Sequence, residues 1–468
     1  MSPLRMHRIG FEDFDALAAG RGDLETVRLL WSTELSRRLL LVQTVVEVTR
    51  GLPAARFSDP LLPGLVTEAY RVLAAATRRR RDRVVAVLMR PEVGGWVTRC
   101  LRQVLRCRNE GARASVAMEA DLHHLCVIAV AAAAQAGEPV TLPVRPSVDG
   151  WLRLPVLGDL FVGVQTGTRA LSATVTERPA TLRVGDRTVK LAAGGEATIW
   201  PDDCDSSPLR APVWLRLGAA DQTLAVALQT DPGSIGLDSF AGSDGLTPVG
   251  FREWSVVLGR GWRLLVERDP DRAAVVAATL TTIVPLRAAC RTAHVSATSG
   301  DAFGAVAMTR PPDPMTAAAA LVHEVQHAKL YALLHVVELI EPATDRQACY
   351  YAPWRPDPRP LTGLLQGAYA FLGLVEFWGS LTASRDPEIR RRAAAEIVRW
   401  RGSVNLVLDV LAASKAVTPL GRRFLGGMRS TMKVWQTVAV DGDVAAAALH
   451  SAAQHLMDWT SRHGGLAS

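Results

Sequence analysis

The sequence predicts a mainly α-helical α+β protein in which helical regions at both ends enclose a β-rich middle region. Long stretches without Gly or Pro carry apolar residues at helical spacing, and a middle stretch rich in Gly, Pro, Thr and Val interrupts them. We place a helical N-terminal region at residues 1–138, a β-rich region at 139–268 and a helical C-terminal region at 269–468. With 468 residues, the chain should contain more than one domain.

Composition favours a globular cytoplasmic protein. Hydrophobic residues make up 49% and charged residues 21%, which is unlike a disordered chain. The six cysteines are scattered without a CxxC pair, so reduced thiols are expected rather than disulfides or a cysteine metal site. The longest apolar run, near Val127–Ala134, is too short to span a bilayer, and Met1–Gly10 lacks the apolar segment of a secretory signal. We therefore expect no membrane association.

The net charge of +7 has two readings. It is spread along the chain except for one dense run, Arg78–Arg83, and no zinc-finger spacing or nucleic-acid module accompanies it. We therefore expect no nucleic acid as a partner. The run is interpreted as a solvated helix face, with contact to an acidic peptide or protein as the alternative.

In the N-terminal region, apolar spacing predicts three helical stretches, the last with a break at Gly111. They are Asp23–Thr49, Leu65–Met89 and Val97–Ala136.

In the middle region, short alternating runs separated by turn residues predict antiparallel strands. The runs are Leu171–Val175, Ala180–Val184, Ala197–Trp200 and Thr223–Leu228. No catalytic constellation is found among them, so a binding or scaffolding role is expected for this region.

The C-terminal region begins with a predicted helix, Asp271–Cys290, kinked at Pro285, and a short strand-like run, Phe303–Met308. A long helix follows. Asp313 can cap its free N–H groups, Pro314 suits its first position, and no Gly or Pro interrupts Met315–Glu341. We expect this helix to end before Pro342.

The long helix carries the motif His323-Glu324-Val325-Gln326-His327. Residues four apart lie about 40° apart around a helix, so both imidazoles can face one divalent metal ion. Glu324 lies on the flank, where it can polarise a ligand of the metal or donate an oxygen to it. The alternative is a pair of hydrogen-bonded helix histidines, because HExxH alone is only moderately specific.

A third metal ligand must come from another element. The apolar stretch Leu361–Ser384 reads as a helix with one charged residue, Glu376, and a lone carboxylate there is costly unless it is paired or metal-bound. We therefore predict Glu376 as the third ligand. Gln366 is a poorer ligand, and His335 lies about 12 Å further along the helix than His327. Both Gln366 and His335 are expected to contact the metal-binding side chains rather than the metal itself.

The loop between these helices, Tyr350–Pro360, contains four prolines, and Arg355 and Arg359 lie in its second half. Such a stiff loop can present guanidinium groups to a small carboxylate. Equally, the loop can be an ordered connector whose arginines pair with surface acids.

Three segments together resemble a known family. They are LVHEVQHAKLYALL (Leu321–Leu334), YAPWRPDPRPLTGLLQGAYAFLGLVEFW (Tyr351–Trp378) and RLLWSTELSRRLLLV (Arg28–Val42). They are similar to the HExxH-motif 2-oxoglutarate-dependent peptide β-hydroxylases of ribosomal peptide (RiPP) pathways, some of which accompany other peptide-modifying enzymes. The combination is more specific than HExxH alone.

The resemblance implies Fe(II) and 2-oxoglutarate as cofactors and a ribosomally made precursor peptide as substrate. It implies His323 and His327 as iron ligands and a functional role for Glu324. Arg355 or Arg359 could then hold the distal carboxylate of 2-oxoglutarate.

Two other functions remain open from the sequence. A zincin-like arrangement of the C-terminal region also suits a zinc metallopeptidase in which Glu324 is the general base. A non-catalytic peptide-binding scaffold without metal is the third reading. In the zincin-like arrangement, Phe303–Met308 would be an edge strand to which an extended peptide adds.

Overall fold

The computed structural model describes most of the chain. The described residues are 8–163, 170–177, 180–190, 209–210, 212–229, 231–240, 247–288, 294–342, 349–438 and 440–464. The predicted strand Ala197–Trp200 lies outside them.

Helices dominate this part of the chain, and the protein is mainly α with several small sheets, as predicted for its fold class. The helices are α1 (Phe11–Ala18), α2 (Leu24–Gly51), α3 (Leu62–Arg79), α4 (Arg81–Leu88), α5 (Pro91–Glu110), α6 (Val116–Ala136), α7 (Pro248–Arg268), α8 (Pro270–Thr279), α9 (Pro314–Leu334), α10 (Leu361–Leu381), α11 (Pro387–Ala413), α12 (Pro419–Gln436) and α13 (Gly442–His463).

The strands form three sheets. Their bounds are β1 (Val140–Val144), β2 (Trp151–Leu154), β3 (Gly158–Phe161), β4 (Leu171–Glu177), β5 (Ala180–Val184), β6 (Arg187–Lys190), β7 (Leu209–Arg210), β8 (Val213–Ala219), β9 (Gln222–Leu228), β10 (Thr282–Pro285), β11 (Ser296–Ala297) and β12 (Ala305–Met308). One antiparallel sheet has the order β1-β4-β5-β6, a second is β2-β3-β7, and the third, a mixed sheet, is β11-β12-β10-β9-β8.

The mixed sheet corrects two sequence predictions. The helix predicted over Asp271–Cys290 is wrong, because α8 ends at Thr279 and Thr282–Pro285 is strand β10, which pairs in parallel with β12 and β9. The run Phe303–Met308 does contain a strand, β12, but it is not an edge strand. It lies between β10 and the antiparallel β11, and its residues are fully buried.

The helices of the N-terminal region follow the sequence closely. The predicted break at Gly111 is confirmed, since this glycine ends α5 with a left-handed φ of 67°. The predicted single helix over Leu65–Met89 is divided at Arg80, whose φ of −147° and ψ of 76° are not helical.

Two large hydrophobic cores organise the fold, and helix α2 contributes to both. Its first half, with Val27 and Leu30, packs with the mixed sheet and α7–α12. Its second half, with Val42 and Val45, packs with α3–α6 and the β1-β4-β5-β6 sheet. The predicted domain limits stay predictions, but the first core crosses the limit after residue 268, since β8, β9 and α7 pack with later elements.

Helix α6 is long and apolar enough to cross a membrane by length and composition alone. It is 78% buried, however, and its side chains pack against α3, α4 and β1. This is the environment of a core helix in a soluble protein.

Candidate metal centre

Helix α9 holds the motif rigidly in the first core. The predicted cap is confirmed, because the Asp313 side chain accepts a hydrogen bond from the Thr316 backbone N–H at 2.9 Å and Pro314 follows it. The helix ends earlier than predicted, at Leu334, so the stretch before Pro342 is not helical. The helix's own residues are buried on most of its faces, as is expected of a core helix rather than a surface helix.

The two motif histidines converge. Their Nε2 atoms lie 3.2 Å apart, and their ring centroids lie 4.8 Å apart at an interplanar angle of 84°. At this distance the N–H of one ring can donate to Nε2 of the other, so the contact also fits the hydrogen-bonded histidine pair that the sequence leaves as the alternative. Two nitrogens 3.2 Å apart, each about 2.1 Å from one ion, would subtend about 100° at it, between octahedral and tetrahedral angles.

Gln366 sets the orientation of one imidazole. Its Oε1 lies 3.1 Å from Nδ1 of His327, and an amide oxygen can only accept, so Nδ1 of His327 carries the proton. The Nε2 atom of His327 is then unprotonated and can bind a metal. Gln366 was expected to support a metal ligand, and its Oε1 contacts the candidate ligand His327.

Burial keeps His323 neutral. The desolvation of its ring lowers its pKa well below the usual value of 6.5, and the charges of His327 and His294 act in the same direction. Nδ1 of His323 is buried without a hydrogen-bond partner among the described residues. A neutral imidazole is the form that binds metals.

Glu324 faces the mixed sheet. Its carboxylate is buried, and its two oxygens accept hydrogen bonds from the hydroxyls of Ser296 and Thr298, each at 2.6 Å. Strand β11 is thereby tied to the motif helix. These hydroxyls were not anticipated from the sequence, although the order Ser-Ala-Thr places both on one face of an extended segment.

The structure does not bring Glu376 to the histidines. This buried carboxylate accepts hydrogen bonds from Arg272 at 2.9 Å and from Arg21 at 3.4 Å. Within the described part of the chain, no group of three or more His, Cys, Asp or Glu side chains is arranged to hold a metal ion. The expected third ligand is therefore occupied as an ion-pair partner, which also satisfies its buried charge.

The remaining predicted residues pair with carboxylates of other residues. Nδ1 of His335 contacts the buried carboxylate of Glu34, so His335 does not support a ligand. Arg355 and Arg359 form ion pairs with Asp357, at 2.9 and 3.3 Å, as the ordered-connector reading of their loop expects. Both guanidinium groups remain partly exposed.

An aromatic wall closes one side of the histidine pair. The ring of Phe371 lies 4.8 Å from that of His323, stacks on Trp400 at 4.0 Å and neighbours Trp354 at 5.0 Å. A Cβ at Gly367 would lie 2.3 Å from the Trp354 ring, so glycine is needed for this packing. The wall was not anticipated from the sequence, and it supplies no donor atom where Phe371 faces His323.

The donor set fits a divalent metal in part. Two imidazoles that converge at a suitable angle, one of them hydrogen-bonded to an amide, are two of the usual three protein ligands of a non-haem iron or catalytic zinc site. The third side-chain ligand is missing from the described residues. Oxygen atoms of a cosubstrate or solvent would have to complete the coordination.

Comparisons with known proteins add no family assignment. No model of a known protein family matches the chain, and no curated protein is significantly similar to it. The functional interpretation therefore depends on the residues and geometry of this chain.

Proposed function

We propose that this protein is an Fe(II)- and 2-oxoglutarate-dependent enzyme that β-hydroxylates a residue in a ribosomally made precursor peptide. The observation that carries the proposal is the pair of converging imidazoles on a buried helix, 3.2 Å apart at Nε2. The resemblance of the motif segments to HExxH-type peptide β-hydroxylases supplies the reaction.

In this proposal the residues have separate tasks. His323 and His327 hold the metal through Nε2, and Gln366 keeps the proton of His327 on Nδ1. When bound, Fe(II) with 2-oxoglutarate and oxygen supplies the oxidising power for hydroxylating a C–H bond. Arg359, which is partly exposed, remains the candidate for the distal carboxylate of 2-oxoglutarate, and it would exchange Asp357 for that partner.

We further propose a zincin-like layout in which the peptide adds to β11 rather than to β12. Thr309 donates its N–H to the carbonyl of Val295 at 2.9 Å, so Val295 and Ala297 face β12. In an antiparallel ladder the alternate residue, Ser296, then directs its backbone groups to the open side. An extended peptide could pair there, directly beside the strand whose hydroxyls hold Glu324.

Peptide binding at the edge of β11 can be tested by substitutions at Ser296. Ser296→Pro removes an N–H that faces the open side and leaves the ladder to β12 intact, whereas Ser296→Ala removes only the hydroxyl. Peptide binding should weaken in the proline variant relative to the alanine variant, with metal content equal in both. Equal peptide binding by the two variants would contradict the proposed pairing of the peptide with β11.

The contacts of Glu324 favour hydroxylation over peptide hydrolysis. A zinc peptidase needs this carboxylate to take a proton from metal-bound water. Here both oxygens already accept short hydrogen bonds from hydroxyl groups of β11. The contacts of Glu324 are therefore those of a residue that positions the strand rather than those of a general base.

A non-catalytic peptide-binding protein is the second candidate. The observation that favours it is the missing third ligand: Glu376 is paired with Arg272, and Phe371 faces His323. A protein of this type would bind the peptide without metal or cosubstrate.

One experiment separates the three functions. Purified protein is incubated with Fe(II), ascorbate, 2-oxoglutarate and the precursor peptide encoded beside it, and the peptide is analysed by mass spectrometry. A gain of one oxygen that disappears in His323→Ala supports the proposal. A cleaved peptide indicates the peptidase, and an unchanged but bound peptide indicates the scaffold.

A further inference from the structure

A groove lies between helix α7 and the proline-rich segment that leads into α9. It has a volume of about 490 Å³ and is separate from the histidine pair. One wall is the solvent-facing stripe of α7, and the other is the segment from Arg310 to Pro314. The lining residues are Val249, Arg252, Glu253, Val256, Val257, Arg260, Arg310, Pro311, Pro312 and Pro314.

The groove is apolar in its middle and basic around it. Val249 and Val256 are 57% and 53% exposed and lie about two helical turns apart on the same stripe of α7. The opposite face of the helix is buried and includes Trp254 and Trp262. Exposed valines aligned on one stripe are characteristic of a contact surface when polar groups surround them. The three prolines stiffen the facing wall, so the groove is already formed without a ligand.

Charge favours an acidic occupant. Arg310 pairs with Glu253 across the groove at 2.7 Å. Arg252 and Arg260, by contrast, have no ion-pair partner among the described residues, and both are exposed. With three arginines and one glutamate lining it, the groove has an excess of positive charge.

We propose that this groove docks an extended, acidic segment of a peptide partner. Arg252 and Arg260 are eight residues apart, about 12 Å along the helix axis. An extended peptide advances about 13 Å over four residues, so carboxylates at positions i and i+4 match the two guanidinium groups. An apolar residue between them, at i+2, then lies over Val256.

The lining argues for a peptide over a nucleic acid. Single-stranded nucleic acids are held by aromatic side chains on which bases stack, in addition to basic groups. None of the residues lining the groove is aromatic, and six of the ten are valine or proline. The inference does not depend on metal binding by His323 and His327, so it can fail or succeed independently of the proposed function.

The test uses the full chain and a fluorescein-labelled 15-residue synthetic peptide that contains Glu-Ser-Leu-Ser-Glu at its centre. We expect saturable binding by fluorescence anisotropy that weakens as salt is raised. The double variant Arg252→Glu/Arg260→Glu should bind about tenfold more weakly, because two attractions become repulsions. Val256→Ser should bind a few-fold more weakly through lost apolar contact.

The matched control is Arg183→Glu/Arg187→Glu, which changes the net charge equally at exposed arginines of strands β5 and β6. It should bind the peptide as the unaltered protein does. The proposal is overturned if the peptide shows no saturable binding at about 1 mM, if both double variants bind equally, or if a single-stranded oligonucleotide of the same length binds more tightly.

Discussion

Replacing Glu376 distinguishes a metal ligand from an ion-pair partner, because the two roles predict opposite effects on stability and on metal binding. The carboxylate is 6% exposed and is held by Arg272 and Arg21 rather than by the histidines. We therefore expect Glu376→Ala to lower the free energy of unfolding while leaving metal binding by the folded protein unchanged.

The size of the loss follows from the two pairs. The Arg21 side chain is 66% exposed, so its pair with Glu376 should contribute about 0.5 kcal/mol or less. The Arg272 side chain is 13% exposed, and breaking a buried pair typically costs about 3–5 kcal/mol. Because Arg272 keeps Asp269 at 2.8 Å, we expect the lower end, about 3 kcal/mol for alanine, and about 2 kcal/mol for Glu376→Gln, whose amide still accepts a hydrogen bond.

The assay combines urea unfolding with metal analysis of the dialysed, folded protein. Glu267→Ala serves as the control, since this glutamate is exposed on α7 and should affect neither measurement. Loss of bound metal in Glu376→Gln, together with stability close to that of the control, would refute the ion-pair role and restore Glu376 as a ligand.

Three further predictions concern Gln366 and Phe371 on helix α10 and the buried His123 on helix α6. Gln366→Leu should weaken metal binding about 10–100-fold by freeing His327 Nδ1, measured by calorimetric metal titration; an unchanged affinity would contradict the assigned proton position. Phe371→His should tighten metal binding in the same assay, because a third imidazole would replace the ring that faces His323; weaker binding would contradict it. Burial lowers the pKa of His123 to about 4, against 6.5 when exposed, so between these pH values the unfolded chain binds more protons. Stability should then fall as the pH falls through this window, by up to about 1.4 kcal/mol per pH unit, and His123→Leu should remove that part; an unchanged slope in urea unfolding curves would oppose it.

The sequence predicted the local features of the site well. Asp313 and Pro314 defined the start of the motif helix, because capping depends on the cap residue and the three that follow. Helical periodicity placed His323 and His327 on one face, and the structure has their rings converging. Both predictions rest on interactions within one or two helical turns.

The failures involve partners distant in sequence. Periodicity alone could not distinguish a helix from the buried strand at Thr282–Pro285, whose β-branched residues pair with two parallel strands. The cost of a lone carboxylate at Glu376 was correctly recognised, but its partner Arg272 is 104 residues away. Nothing in the local sequence indicates which distant cation meets a buried acid.

The sharing of one metal ion by the Nε2 atoms of His323 and His327 is the proposal on which the function depends. It is tested most directly by titrating the protein with Co(II) and following the visible absorption of the bound ion. We predict one ion per chain, with the absorption lost in both His323→Ala and His327→Ala and retained in Glu376→Gln. Absorption that is absent from the unaltered protein, or that survives either histidine substitution, would contradict the claim.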